Sequence, residues 1–315
     1  MDIITIGDAL VLFNPSTKGP LRFVNAFERK VGGAELNVAI GCSRLGLSAG
    51  WMSRLGKDEF GRYIHNFVRG EGVDVSEVQL IEGYPTSIYF KEILNGENIN
   101  SYYYRHQSPT LTYKNEEINE EYIKQAKILH VSGVFPAVND TNKEVMAHLL
   151  KLAKKNNLTV SFDPNIRLKL WGAEEAVQTL RSYLPYVDLL MTGEEEAEIL
   201  FGTSNPDEVY EIAKGFGIEH VILKQGERGA IGFRDGERVH SPVIDKGKVI
   251  DVIGAGDGFA AGYLYSLIKE MSLEKSLMFA NAVAAHVIGV EGDNEGLPYK
   301  EELDIFLGER KAVSR

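Results

Sequence analysis

The feature that most constrains this chain is the regular exchange of two hydrophobic periods along it. Short apolar runs of strand length, Ile3–Ile6, Ala49–Arg54, Ile128–Ser132, Thr159–Asp163, Leu189–Thr192 and Val221–Lys224, take turns with segments of helical pattern. The helical segments are Ala34–Leu45, Glu59–Gly70, Thr141–Asn156, Ala173–Leu184, Glu194–Phe201 and Asp207–Phe216. Parallel strands need long crossovers, and a helix is the usual one. The alternation therefore predicts an α/β fold, a mostly parallel central sheet with helices on both faces. Ala230–Val239 reads as a hairpin turning at Asp235-Gly236. Two helices rich in small residues, about Ala255–Lys269 and Leu273–Val290, close the core.

Two stretches break the rule. Residues 9–31 lack a helical period and contain Pro15, Gly19 and Pro20; residues 78–105 read as short alternating strands, Thr86–Ile93 and Asn100–Arg105. Between those two strands, Asn95-Gly96 and Glu97-Asn98 supply turn residues. Together the two stretches predict a small β lid on a single domain spanning residues 1–315. No linker rich in Pro, Gly or Ser divides the chain, and the charged end Glu309–Arg315 reads as a frayed tail.

Composition excludes several classes. Lys and Arg number 34 against 45 Asp and Glu, a net charge of −11 that argues against general nucleic-acid binding. The one cysteine, Cys42, rules out an internal disulfide framework and a cysteine-rich zinc site, and its apolar helical setting marks a core residue. MDIITIGDAL has no basic leader region, and no apolar run nears the roughly 20 residues that span a bilayer. A cytoplasmic protein with no membrane partner is expected.

In an open α/β sheet, ligands bind beyond the carboxyl ends of the strands. Gly7-Asp8, Asp163-Pro164-Asn165 and Lys224-Gln225-Gly226 all follow predicted strands and should converge there. The sharpest local signal is Asp251-Val252-Ile253-Gly254-Ala255-Gly256-Asp257 at the opening of a helix. Small residues there let N–H groups aim at one point, and the helix terminus adds positive potential. Such a cradle suits a phosphoryl group in transfer, with Asp257 placed to take a proton from an attacking hydroxyl. The same run also fits an ordinary helix start with an acid in its first turn. There is no G-x-x-x-x-G-K-[ST], Phe259 occupies the third glycine position of a dinucleotide fingerprint, and the 7 histidines are scattered.

Asp251–Leu264 resembles the C-terminal signature of the ribokinase-like, or PfkB, carbohydrate kinases, and Gly32-Gly33-Ala34-Glu35-Leu36-Asn37 resembles their N-terminal one. The two stand far apart and in the expected order, and the resemblance covers essentially the whole chain. Glu35 departs from the small residue or proline of many members, and this variant resembles the 2-keto-3-deoxygluconate kinases within the family. Pro20–Asn25, Tyr103-Tyr104-Arg105, Asp163–Arg167 with Leu170-Trp171, and Gly292–Glu295 resemble the same group.

The resemblance implies an ATP- and Mg2+-dependent kinase that phosphorylates a sugar acid, 2-keto-3-deoxygluconate, on its 6-hydroxyl. Asp257 would be the base and the Gly254, Ala255 and Gly256 backbone the cradle. Gly33, Asn37, Asp8, Tyr89, Tyr103, Arg105, Arg167 and Asp293 would face the substrate, with Gly32-Gly33 as the lid hinge. Arginine forks suit a carboxylate, so Arg105 and Arg167 would clamp the acid. Asn165, Lys224, Gly226, Gly229 and Asn281 would lie along the nucleotide. Glu196 keeps the acid of a metal-associated Asn-x-x-Glu in which Gly193 replaces the Asn, so it would act on the metal indirectly. An exposed lid would pair with a second lid in a homo-oligomer. A kinase of neutral sugars such as fructose or ribose, and a non-catalytic sugar- or nucleotide-binding regulator, are the other readings.

Overall fold

The computed structural model describes residues 1–95, 98–244, 247 and 249–310. Gly96 and Glu97 of the expected lid turn, and residues 311–315 of the expected tail, lie outside the described residues. In chain order the strands are β1 (Ile3–Ile6), β2 (Leu10–Pro15), β3 (Phe27–Gly32), β4 (Ala49–Gly56), β5 (Val78–Ile81), β6 (Ser87–Asn95) and β7 (Asn98–Tyr104). They continue with β8 (Ile128–Ser132), β9 (Thr159–Asp163), β10 (Leu189–Gly193), β11 (His220–Lys224), β12 (Ala230–Arg234) and β13 (Glu237–Ser241).

Nine strands form one sheet in the order β13-β12-β11-β10-β9-β8-β1-β4-β5. All neighbours run parallel except β11–β12 and β12–β13. The last of these pairs is the expected hairpin, with Asp235 and Gly236 both at positive φ. The central strands read as unbroken apolar runs because both faces are covered. On one face Ile3, Trp51, Met191 and Ile222 pack against the helices Ala34–Arg44, Ala255–Ile268 and Leu273–Val287. On the other, Ile4, Leu129, Phe162 and Val221 pack against Asp140–Lys155, Ala173–Tyr183 and their neighbours.

A second sheet of four strands, β3-β2-β6-β7, is the lid. Its centre is a parallel pairing of β2 with β6, flanked by two antiparallel partners. Both strands expected within residues 78–105 are in the lid, but this stretch of the lid begins later than residue 78. Val78–Ile81 pairs in parallel with Ser53–Gly56 and edges the large sheet instead. As an edge strand it has no fully buried residue, so it lacks the apolar run of the central strands. Leu10, Leu12, Tyr89 and Tyr103 form one face of the lid. The lid also reaches the loop at 291: Asn14 Nδ2 donates to Glu291 Oε1 at 2.8 Å and Lys30 Nζ to the Glu291 carbonyl at 2.9 Å.

Candidate active site

The strand order reverses at β1, which lies between β4 and β8. That is where a doubly wound sheet leaves a crevice at its carboxyl edge. Asp8 follows β1, Asp163 ends β9 and Lys224 ends β11. The helix Ala255–Ile268 opens toward the same crevice from Gly254, at φ 76° and ψ −7°. That left-handed backbone favours glycine, and a β-carbon there would collide with the Asp293 carbonyl oxygen.

Among the described residues, the N–H groups of Gly254, Gly256 and Asp257 find no acceptor. The Ala255 N–H, expected in the cradle, instead turns back to the Val252 carbonyl at 3.3 Å. Three unsatisfied donors at the start of a 14-residue helix make an anion site. The Lys224 ammonium lies 3.8 Å from where a β-carbon on Gly256 would stand and adds a full positive charge.

Asp257 sits in the first turn of that helix. Loss of hydration pushes its carboxyl pKa up to about 6, even though Asn37 Nδ2 donates to Oδ2 at 2.8 Å and pulls the other way. A carboxylate of that basicity is suited to accept a proton near neutral pH. Asn37 was expected to face the substrate, but its amide is engaged at both ends. Asn294 Nδ2 donates to its Oδ1 at 3.4 Å and to the Val31 carbonyl at 2.7 Å. Asn37 thus orients Asp257.

On the lid side, Asp8 is almost fully buried, and its oxygens are taken. Oδ2 accepts from the Arg105 guanidinium at 2.8 Å and from Ser87 Oγ at 3.2 Å, and Oδ1 from Ser108 Oγ at 2.9 Å. These bonds fix Arg105 in place. Arg105 Nε is buried with no partner, a donor left for a ligand. Tyr89 and Tyr103 stack across the β6–β7 pair with ring centroids 5.1 Å apart, while Tyr102 and Tyr104 face outward and are 44% and 59% exposed. Arg167 is exposed, its guanidinium makes no hydrogen bond or ion pair among the described residues, and it lies close enough to Asp257 to favour its charged form.

Asp293 is buried with Oδ1 unpartnered, and burial followed by the charge of Asp257 raises its pKa to about 7. Its other oxygen packs over Gly32, where a β-carbon would meet it. The space at Gly33 serves the chain itself: a β-carbon would stand 3.0 Å from the Asp8 carbonyl oxygen. Glu35 is fully buried; Oε1 accepts from Ser132 Oγ at 2.7 Å and Phe135 N–H at 3.2 Å, and Oε2 has no partner. Burial lifts its pKa to about 7, so it is a largely protonated acid below neutrality.

Across the cradle, Lys224 Nζ donates to Asp163 Oδ2 at 2.7 Å, and Asp163 Oδ1 accepts from the Asn165 N–H at 3.1 Å. Burial opposes the lysine charge, but Asp163 and Glu196 outweigh it and hold the ammonium above its ordinary pKa. Glu196 spends both oxygens on backbone donors, Gly193 N–H at 2.8 Å and Ile166 N–H at 3.1 Å. Among the described residues there is no cluster of three or more His, Cys, Asp or Glu suited to a metal. Gly226 and Gly229, both at positive φ, shape the loop after β11. Asn281 donates to the Ser241 and Pro242 carbonyls at 3.1 Å, which ties the end of β13 to its helix.

Asp257, Arg167, Asp293 and Lys224 lie within electrostatic reach of one another at the crevice, with Arg105 on the lid side. Asp163 and Asn294 belong to segments singled out above, Asp163-Pro164-Asn165 and Gly292–Glu295, and the structure supplies their partners: Lys224 for Asp163, Val31 and Asn37 for Asn294.

Residues 2–300 match the pfkB family carbohydrate kinase model. A 2-dehydro-3-deoxygluconokinase from Bacillus subtilis (strain 168) is 33% identical over 99% of this chain and 97% of its own. A 5-dehydro-2-deoxygluconokinase from Halalkalibacterium halodurans is 29% identical over 99% of this chain and 96% of its own. The solved structure of a PfkB protein from Polaromonas sp. JS666 superposes with a TM-score of 0.89 at 31% identity, covering 96% of this chain and 99% of that one. No helix among the described residues is long and apolar enough to cross a membrane. With a family model matched over nearly its whole length and a relative 33% identical end to end, the chain belongs to the pfkB family of carbohydrate kinases.

Proposed function

We propose that this kinase transfers the γ-phosphoryl group of ATP to the 6-hydroxyl of 2-keto-3-deoxygluconate. The observation that carries the substrate class is a pair of arginines with guanidinium donors to spare. Arg105 is buried on the lid side with a free Nε donor, and Arg167 stands unpaired at the crevice. A neutral sugar needs neither guanidinium; a carboxylate is matched by both. The Tyr89–Tyr103 stack closes the pocket over the acid.

Asp257 takes the hydroxyl proton as the oxygen attacks, and Asp293 lies beside it to hold a sugar hydroxyl. The N–H groups of Gly254, Gly256 and Asp257, with Lys224, receive the charge of the moving phosphoryl group. Asn165, Gly226, Gly229 and Asn281 line the nucleotide side. Magnesium enters on the ATP phosphates, as a hard cation with few protein ligands. Glu196, with both oxygens engaged, acts on it only by holding the loop at Gly193 and Ile166. ATP dependence makes the cytoplasm its working compartment.

The 29% identical relative favours a second reading, the regioisomer 5-keto-2-deoxygluconate. The test is ADP release by the purified protein with ATP and Mg2+ and, in parallel, both keto acids, the 4-epimer 2-keto-3-deoxygalactonate, fructose and ribose. Turnover led by 2-keto-3-deoxygluconate is the expected result. Turnover led by the 5-keto acid replaces the substrate and keeps the two-arginine clamp; turnover led by a neutral sugar removes the clamp.

The same reading extends to assembly. Phe13, Phe27, Phe90 and Tyr104 form a linked aromatic group on the lid face away from the crevice. A second lid laid over the exposed Tyr102 and Tyr104 would make a homo-oligomer. Light scattering after size exclusion should give more than one copy for the native chain and a monomer for Tyr104→Glu.

A further inference from the structure

Strand β6 carries a charge that the site described above does not use. Lys91 projects from the lid two residues beyond Tyr89, on the same face of the strand. Its ammonium meets Asp251 Oδ2 at 3.1 Å, and both side chains are buried, 4% and 7% exposed. Asp251 opens the segment that leads into the cradle. Its other oxygen, Oδ1, accepts from the Ile253 N–H at 3.1 Å, one residue before Gly254 takes its left-handed turn. The Ile250 and Asp251 N–H groups both donate to the Ile288 carbonyl, which fixes the base of the segment to the neighbouring helix. One carboxylate therefore binds the lid with one oxygen and shapes the cradle's entry with the other.

The charge balance gives this contact a direction. The cradle must receive an anion, and Asp251 places a buried negative charge three residues before Gly254. With the lid down, Lys91 neutralises that charge at contact distance. With the lid lifted, Asp251 loses its counter-ion, and the potential felt by an incoming phosphoryl group turns less favourable.

We propose that Lys91 is a positioning residue that makes the phosphoryl cradle conditional on lid closure, by pairing with Asp251. Substrate that draws the lid down also completes the electrostatics of the phosphoryl site, so ATP is not committed before the acceptor is enclosed. The inference rests on phosphoryl transfer by the family, not on which sugar acid is the acceptor.

The test is a double-mutant cycle read with whichever acceptor the native enzyme turns over. Lys91→Met, close to lysine in length and packing, should lower kcat about 10- to 100-fold and move the acceptor KM by less than about threefold. Lys91→Arg should restore most of kcat. Lys91→Met combined with Asp251→Asn, which removes both charges and keeps an oxygen for Ile253 N–H, should recover roughly tenfold over Lys91→Met alone. A Lys91→Met enzyme with kcat within about twofold of native overturns the proposal. So does a double variant whose losses simply multiply, because two residues that do not act on each other give no such recovery. Should Lys91→Met fold poorly, the charge-free double variant still decides: kcat near native supports the proposal, and kcat as low as in Asp251→Asn alone sinks it.

Discussion

The two sheets of this kinase are held in place by different physics. In the nine-stranded sheet, strand residues such as Phe162, Trp51 and Ile3 are wholly buried between helices on two sides. In the four-stranded lid, one face carries a small group of apolar residues around Tyr89, and the other leaves Tyr102 and Tyr104 in solvent. An apolar root, Val11, Val31, Phe13 and Ile88, joins the lid to the large core, and beyond it the fastenings are polar and discrete: Asp8 to Arg105, Asn14 and Lys30 to Glu291, Lys91 to Asp251. A body held by area resists displacement everywhere. A body rooted along one seam and otherwise held by a few polar contacts can swing away and return as a unit, which a closing lid requires.

If that contrast is right, the chemistry belongs to the large sheet and recognition to the lid. The largest effect should follow Asp257→Asn, which keeps an oxygen for the Asn37 bond and removes the base. We expect kcat to fall by about 10²–10⁴-fold, KM to stay within a few-fold, and the melting temperature not to drop, since a destabilised carboxyl is gone. A kcat within about tenfold of native would remove Asp257 as the base. Next, Phe162→Ala in the central sheet should cost about 3–5 kcal/mol of stability in denaturant titration, while Tyr104→Ser on the outer lid should stay within about 0.5 kcal/mol. Equal losses would show that the lid is simply more core.

Two smaller effects sharpen the comparison. Arg105→Lys replaces a planar fork with a point charge and should raise KM for the sugar acid about tenfold with little change in kcat; an effect confined to kcat would move Arg105 from recognition to chemistry. The pH dependence follows from the raised pKa of Asp257, about 6 against an ordinary 3.8. A base works deprotonated, so kcat should be level above pH 7 and fall as pH drops through 6. By pH 5 the loss is about tenfold, as for any single group one unit below its pKa. A profile flat down to pH 4.5 would mean an unshifted base.

The same division governs what could be read from the residues alone. Every strand of the large sheet up to β11 except β5 stood out, because full burial on both faces writes itself as an apolar run. The crevice was legible through strand ends and through the Gly-Ala-Gly-Asp run. The structure adds most where a residue's partner is remote in sequence. Asp8 reads as a substrate contact because its partners Arg105, Ser87 and Ser108 are 79 to 100 positions away. Asn37 resembled a ligand contact because Asp257 is 220 positions away. Lys91 carried no signal at all, since a lysine in a half-exposed strand is ordinary until the loop it meets is known. Val78–Ile81 falls within the stretch read as lid because an exposed edge strand carries no apolar run to mark it as part of the large sheet.

The parallel pairing of Leu10–Phe13 with Ser87–Phe90 has a consequence for how the protein is made. The lid is two excursions from the chain, one leaving after β1 and one after β5, and neither has its central neighbour until both have emerged. Loop-closure entropy sets such a contact late, after the intervening β4 and its flanking helices have formed locally. Lid substitutions should then leave the refolding rate nearly unchanged and appear in the unfolding rate, the kinetic mark of a part absent from the folding nucleus. On the ribosome the large sheet would begin to assemble around β1 and β4 while the lid strands wait. The element that recognises the substrate is the one whose sequence can vary without putting the nucleus at risk.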